Sequence, residues 1–350
     1  MLTQEQINQI KEHLEKAQNP VFFFDNDPDG LCSFLLLRRF LGRGKGVAIK
    51  SFPALDVNYF RKVEELNADY IFILDKPVVS QEFLDKTREV NIPIVWIDHH
   101  DVQSEIPKFI SYYNPYYNGN HVGNDKSSVP VTYFCWQVTK RKEDMWIAVI
   151  GCISDSYLPD FYHEFEKEFP DLGVKAKTAF DVLYKSRLGE VTKIVSSGLK
   201  DKTSNVVNML RFLVSSKSPY DVLNEDPKNR SFHSRSIQIA KKYNLLYEKA
   251  KKHYRENSSL LFFKYSGDLS ISGELANELL YNYPEKTIVV AYVNGGKVNI
   301  SLRGREIKDR FLKAIEGLEG SSGGGHKDAV GGVIQTKDLE DFVEKLKNIS

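Results

Sequence analysis

Cysteine is scarce in this sequence. The 350 residues hold three, Cys32, Cys135 and Cys152, with no CxxC spacing. That excludes a disulfide scaffold and a structural zinc cluster, and it fits a reducing cytosol. All three lie in apolar surroundings, which predicts core positions. Net charge is almost absent as well, at +1, so no global field draws a polyanion and any nucleic-acid binding needs a local patch. No apolar run approaches a membrane span. The first 19 residues are polar, with Ile7, Ile10 and Leu14 at helical spacing, and lack the apolar core of a secretory leader. The expectation is a cytoplasmic protein without membrane contact. Hydrophobic residues at 41% and charged residues at 27% are ordinary for globular chains, and the length suits two domains.

What is present is an alternation of apolar runs with amphipathic stretches. Residues 3–17 read as a helix with capping-box spacing, Thr3 to Gln6. Val21-Phe22-Phe23-Phe24, Val47 to Phe52, Tyr70 to Leu74 and Ile92 to Ile97 read as strands. Helices are expected over 30–40, 59–66, 80–90 and 145–156, a helix in preference to a strand over 129–138, and a loop over 111–128. Such alternation is the pattern of βαβ units and a parallel sheet. From Thr192 to Asn257 the pattern is helical and lysine-rich, the mark of a solvated helix face. A second α/β pattern starts near Ser258: strands at 260–265, 287–293 and 298–303, helices at 273–281, 305–316 and 337–348, and a Gly/Ser loop at 317–325. The fold class expected is α/β. A parallel-sheet domain (1–190) is followed by a helical connector (191–257) and a smaller α/β domain (258–350), with the active site in the cleft between the two domains.

Three of the N-terminal strands end in metal-ligand residue types. The first runs into Asp25-Asn26-Asp27-Pro28-Asp29-Gly30, the third into Asp75, and the fourth into Asp98-His99-His100-Asp101. Asp, Asn, Pro and Gly also make solvated turns, but a plain turn does not recur at strand after strand, and strand ends are where open α/β sheets bind ligands. A calcium loop of the EF-hand type fails, because its twelfth position is Leu36. The expected apolar helix 145–156 delivers a further acid, Asp155. The candidate metal ligands are therefore Asp25, Asp27, Asp29, Asp75, His99 and Asp155. Oxygen-rich shells with imidazole and no thiolate suit Mn²⁺ or Mg²⁺. Five carboxylates exceed the need of one divalent ion, so two ions are expected, with Asp75 as bridge and a metal-activated water as nucleophile. Asp98 is expected to orient the second nitrogen of His99, and His100 to face the substrate as phosphate contact or proton donor. In the C-terminal half, Gly323-Gly324-Gly325-His326 is either a flexible loop or a nest of backbone N–H groups for phosphate, with Arg303 as a charge-assisted partner.

The ordered set Asp25 to Gly30, Asp75, Asp98-His99-His100 and Asp155 resembles the motifs of the DHH phosphoesterase superfamily, and the acidic first motif is similar to that of RecJ-like and oligoribonuclease-like members of archaeal type. Gly323 to His326, with Arg303 before it, resembles the DHH-associated C-terminal domain, and Asn114-Pro115 stands where the family often has Asn-Pro. The resemblance implies metal roles for the six ligands above, catalytic roles for Asp98 and His100, and substrate binding by Arg303, Gly323, Gly324, Gly325 and His326. It implies a phosphodiesterase, most simply an exonuclease that shortens single-stranded DNA, RNA or short oligonucleotides. Replication and repair proteins, or a second copy of the chain, are the implied partners. The alternatives are a phosphoesterase for bisphosphate nucleotides or cyclic dinucleotides, and a non-catalytic partner protein. Tyr112, Tyr113, Tyr116 and Tyr117 are candidates for base stacking or for packing. Lys76-Pro77, after Asp75, departs from the family's small residue.

Overall fold

The computed structural model describes residues 1–51, 53–100, 105–115, 117 and 129–349. The chain divides into two compact units, Met1–Ser236 and Ile237–Ser350.

The first unit contains strands β1 (Pro20–Asp25), β2 (Lys45–Ile49), β3 (Ala54–Leu55), β4 (Tyr70–Leu74), β5 (Val78–Val79), β6 (Ile94–Ile97) and β7 (Ile110–Tyr113). Five of them make a sheet in the order β2-β1-β4-β6-β7, parallel throughout, while β3 and β5 pair separately. Side chains alternate across a strand, and here both faces are buried. Phe22, Phe24, Phe72, Leu74 and Ile97 join one core; Val21, Phe23, Ile73, Ile94 and Trp96 join the other. The first core is closed by α1 (Gln4–Lys16) and α2 (Pro28–Leu41), the second by α3 (Phe60–Glu65) and α4 (Gln81–Glu89). Helices α5 (Val131–Thr139) and α6 (Met145–Ser154) complete the first layer. Thr3 and Gln6 form the capping box expected of α1, and the three cysteines are buried. In α2, Asp27 is the N-cap, accepting from Gly30 N at 2.9 Å, and Pro28 sits in the first turn. A Cβ at Gly30 would fall 2.6 Å from the Asp25 carbonyl oxygen, so glycine lets α2 lie directly against the end of β1.

One expected loop is a strand. Residues 110–113 form β7, paired with β6; their Ile and Tyr suit a half-buried edge. Phe52, Asp101, Tyr116 and the segment 118–128 fall outside the described residues, and with them parts of the expected strand, DHHD motif and aromatic loop. Helices α7 (Tyr162–Glu168), α8 (Ala179–Lys185), α9 (Arg187–Leu199), α10 (Thr203–Ser215), α11 (Pro219–Leu223) and α12 (Arg230–Lys251) follow. Val195, Met209, Leu213 and Phe232, all in the stretch read as a connector, belong to the first unit's core, and the division between units falls inside α12.

The second unit is a five-stranded sheet. Its strands are β8 (Leu260–Ser266), β9 (Thr287–Asn294), β10 (Lys297–Arg303), β11 (Ser322–His326) and β12 (Ala329–Gln335), in the order β11-β12-β10-β9-β8. Only the β8–β9 pairing is parallel. Helices α13 (Ser272–Asn282), α14 (Ile307–Ile315) and α15 (Leu339–Asn348) cover it. The glycine run read as a loop is the edge strand β11. Two of its glycines are required by packing: a Cβ at Gly323 would meet the Gly331 carbonyl oxygen at 2.6 Å and Phe311 at 2.7 Å, and Gly325 holds φ +145°. A Cβ at Gly324 would meet nothing within 4 Å.

That contrast yields a test. Gly323→Ala should cost about 1–3 kcal/mol in urea unfolding, because overpacking forces Phe311 or β12 to shift. Gly324→Ala should stay within about 0.5 kcal/mol.

Candidate metal centre at the sheet edge

Because the five strands are parallel, their carboxyl ends share one edge. Register pairs Phe24 with Leu74 and Leu74 with Ile97, so the residues that follow are neighbours in space. Asp25 ends β1. Asp75 follows β4 in the left-handed region at φ 57°, a conformation that costs a non-glycine residue roughly 1 kcal/mol and gathers at functional sites. Asp98, His99 and His100 follow β6. Asp155 caps the C-terminus of α6, a helix buried from Met145 to Ile153.

Among the described residues, three groupings bring ligand atoms within 4.8 Å of one another: Asp25-Asp27-Asp75, Asp75-His99-His100 and Asp29-His99-Asp155. Asp75 and His99 are each shared by two of them. His99 Nε2 lies 3.3 Å from Asp75 Oδ1 and 3.8 Å from Asp155 Oδ2. All six expected metal ligands therefore converge.

Charge crowding dominates the electrostatics of this arrangement. Burial first, then Asp29, Asp27, Asp25 and Asp155, raise the Asp75 carboxyl well above the carboxylate range. Burial pushes Asp29 up to about 6, against the charge of His99. Asp27 is enclosed by the cluster yet open to solvent at the site mouth. Solvent tempers the burial effect there, and the direction, upward, stands on its neighbours Asp25 and Asp29 as well. Asp75 Oδ1 is buried without a hydrogen-bond partner. Acids that must take up protons to coexist are acids a divalent cation would suit, and the oxygen-plus-imidazole donor set fits Mn²⁺ or Mg²⁺.

The individual side chains differ in what else they hold. Asp29 accepts from Val131 N at 2.9 Å and Thr132 N at 2.7 Å, so both its oxygens also clamp the N-terminus of α5. Asp98 does not orient His99, as expected, but His100: the Nδ1–Oδ1 distance is 2.8 Å, and the His100 backbone N–H donates to Oδ2. The Asp98 carboxylate thus takes both the backbone N–H and the ring of the residue two positions on. Burial alone would lower the His100 pKa; Asp98 overrides it and lifts it to about 9. Asn114, buried at the end of β7, donates to the His100 carbonyl at 2.9 Å and contacts Tyr112 Oη at 2.8 Å. Tyr113 is core, while Tyr117 is exposed. Lys76 was legible only as an oddity. Its ammonium donates to Asp25 Oδ1 at 2.7 Å and to the Ser51 carbonyl at 2.8 Å, with the side chain 1% exposed.

In the second unit, Arg303 and His326 both register with Ala329 of β12, from opposite sides. Arg303 is held by Asn277 Oδ1 and by the Leu302 and Val330 carbonyls, all neutral acceptors.

Two family models match this chain: DHH family, N-terminal domain, over residues 21–153, and DHHA1 domain, over residues 257–349. No curated protein matches it in sequence. Among solved structures, RecJ from Thermus thermophilus in complex with Mn²⁺ superposes at TM-score 0.69 with 16% identity, over 98% of this chain and 54% of that one. The chain thus spans about half the length of that RecJ. An exonuclease RecJ bound to manganese gives 0.63 at 14% identity, over 98% and 93% of the two chains. The pGpG-specific phosphodiesterase PggH from Vibrio gives 0.50 at 14%, over 95% and 98%. At these identities the likeness is one of fold.

The clamp and the crowding predict two measurable effects. Asp29→Ala should destabilise the protein by about 2–3 kcal/mol in urea, since two buried N–H groups lose a charged acceptor. Raised folded-state carboxyl pKa values mean that the metal-free folded protein binds protons more tightly than the unfolded chain. Their contribution to stability is full below the unfolded value of about 4 and is lost as pH rises through about 6, where Asp29 titrates, and beyond it for Asp75. Thermal unfolding with and without Mn²⁺ should show the metal-free form losing Tm over that range relative to Asp75→Asn, with Mn²⁺ restoring it most at the alkaline end.

Proposed function

Because the chain belongs to the DHH family of phosphoesterases, we propose that it is a divalent-metal-dependent phosphodiesterase that releases mononucleotides from single-stranded DNA, RNA or short oligonucleotides. The observation that carries this reading is the convergence of Asp25, Asp27, Asp29, Asp75, His99 and Asp155 on one sheet edge. Two ions, Mn²⁺ or Mg²⁺, match the Asp25-Asp27-Asp75 and Asp29-His99-Asp155 groupings, which Asp75 and His99 link. Bound there, they supply an acidified water and neutralise charge on the phosphoryl group. Asp25, Asp27, Asp75, His99 and Asp155 hold them, and Asp29 adds an oxygen while fixing α5. His100, aligned by Asp98 and carrying a proton at neutral pH, donates to a phosphate or leaving oxygen. In the second unit, Arg303 and His326 contact the substrate's phosphate, and the open position at Gly324 admits it closest to the backbone.

A local basic patch supports a strand as substrate. A groove of about 700 Å³ runs along β2, with Arg38, Lys45, Lys50, Arg61 and Arg211 among its described lining residues; Lys62 also lines it but is paired with Glu65. It contains none of the cluster's ligands, yet Lys50 adjoins Ser51, whose carbonyl receives Lys76. Its apolar floor, with Val206 and Leu210, suits unstacked bases under a basic rim. The near-zero net charge favours the second reading, a phosphoesterase for dinucleotide-sized substrates.

End-labelled oligomers of graded length, digested with Mn²⁺ beside cyclic dinucleotide and bisphosphate substrates, separate the two. Stepwise release of mononucleotides from long strands is expected; turnover confined to dinucleotides or smaller would sink the exonuclease reading. Asp75→Ala should lower turnover about a hundredfold or more with an unchanged circular dichroism spectrum, and EDTA should abolish it. Lys45→Glu with Arg211→Glu should weaken long-strand binding about tenfold and flatten its salt dependence.

A further inference from the structure

A buried lysine stands inside the acidic cluster. Lys76 directly follows Asp75, and its carbonyl accepts from Trp96 Nε1 at 2.8 Å, which pins the backbone. Pro77 restricts that backbone further. The ammonium then has a set place, 2.7 Å from Asp25 Oδ1 and 2.8 Å from the Ser51 carbonyl. Asp25 belongs to the Asp25-Asp27-Asp75 grouping and to neither of the two that contain His99.

We propose that Lys76 is a resident counter-ion that contests the Asp25-Asp27-Asp75 position with divalent cations, so that the centre keeps one ion tightly at its His99 side and exchanges the other. This rests on the metal reading of the cluster. A dication entering beside Asp25 must either strip that carboxylate from the ammonium or sit next to it. The first leaves a buried lysine without its anion. The second sets like charges side by side at low dielectric. Lysine suits the task because its charge is compact and its stem flexible, so the ammonium can leave and return. Asp25, the carboxylate that the ammonium holds, is a member of neither His99 grouping. The consequence is a centre with unequal metal affinities. The resting protein is singly loaded, and its second ion comes and goes with the lysine contact.

Equilibrium dialysis of the metal-stripped full chain against graded MnCl₂, with bound manganese counted by elemental analysis, tests this without reference to turnover. The expected result is one tight equivalent and a second at least tenfold weaker. Lys76→Met and Lys76→Gln should bind two equivalents with similar affinity, while Lys76→Arg, which keeps the cation, should retain the split. Circular dichroism checks that each variant is folded, and the unaltered chain's isotherm decides by itself for any that is not. Two equally tight equivalents in the unaltered chain overturn the proposal, as does a split that persists in folded Lys76→Met. Absence of saturable Mn²⁺ binding in every form overturns the metal reading along with it, which sets that failure apart.

Discussion

Repulsion among carboxylates is the constraint around which the first unit is built. Asp25, Asp27, Asp29, Asp75 and Asp155 would not share one edge of a sheet unless something forced them together. The force comes from burial elsewhere. Phe22 stacks on Phe72, and Phe24 on Phe34, at centroid distances of 4.9 and 5.1 Å. A fully buried phenylalanine contributes roughly 1.5–3 kcal/mol, and β1 alone buries Phe22, Phe23 and Phe24. The apolar strands hold their acidic ends in register whether or not those ends favour it, and the left-handed Asp75 is one sign of the strain they absorb.

The sequence reveals this edge well because its two halves speak in different alphabets. Apolar runs mark β1, β4 and β6, and the acids that follow each run mark where it stops. The expected helices and strands of both units lie close to the observed ones for the same reason. The failures have physical causes. Strand β7 is four residues long and mixes Ser with Tyr, so neither period nor length separates it from a loop. Strand β11 is Ser-Gly-Gly-Gly-His; nothing intrinsic to glycine favours a strand, and its conformation comes from pairing with β12 beneath Phe311. The partner of Asp98 is set by a local contact between residues two apart, a matter of backbone and side-chain angles that spacing does not encode. The ion pair of Lys76 joins residues 51 apart in sequence, so only the odd residue was visible and not its contact.

The two units handle charge in opposite ways. The first concentrates carboxylates and imidazoles and so calls for cations. The second offers a guanidinium, an imidazole and an edge strand of glycines with little side chain to shield the backbone. Glycine serves two ends there. At Gly323 it makes room for Phe311, and at Gly324 it leaves the backbone bare. A motif that reads as uniform is therefore divided residue by residue between packing and access.

The clamp made by Asp29 reaches further than the site. It ties the acidic turn to backbone N–H groups 102 and 103 residues later. Contacts between such distant segments wait on slow loop closure. A nascent chain that has left the ribosome only as far as Pro130 already displays the acidic turn, Asp75 and the histidines, but has nothing to which Asp29 can be fastened. The acidic edge is thus finished from downstream: α5 brings the N–H groups that fasten Asp29, and Asp155 joins the cluster only when α6 has followed.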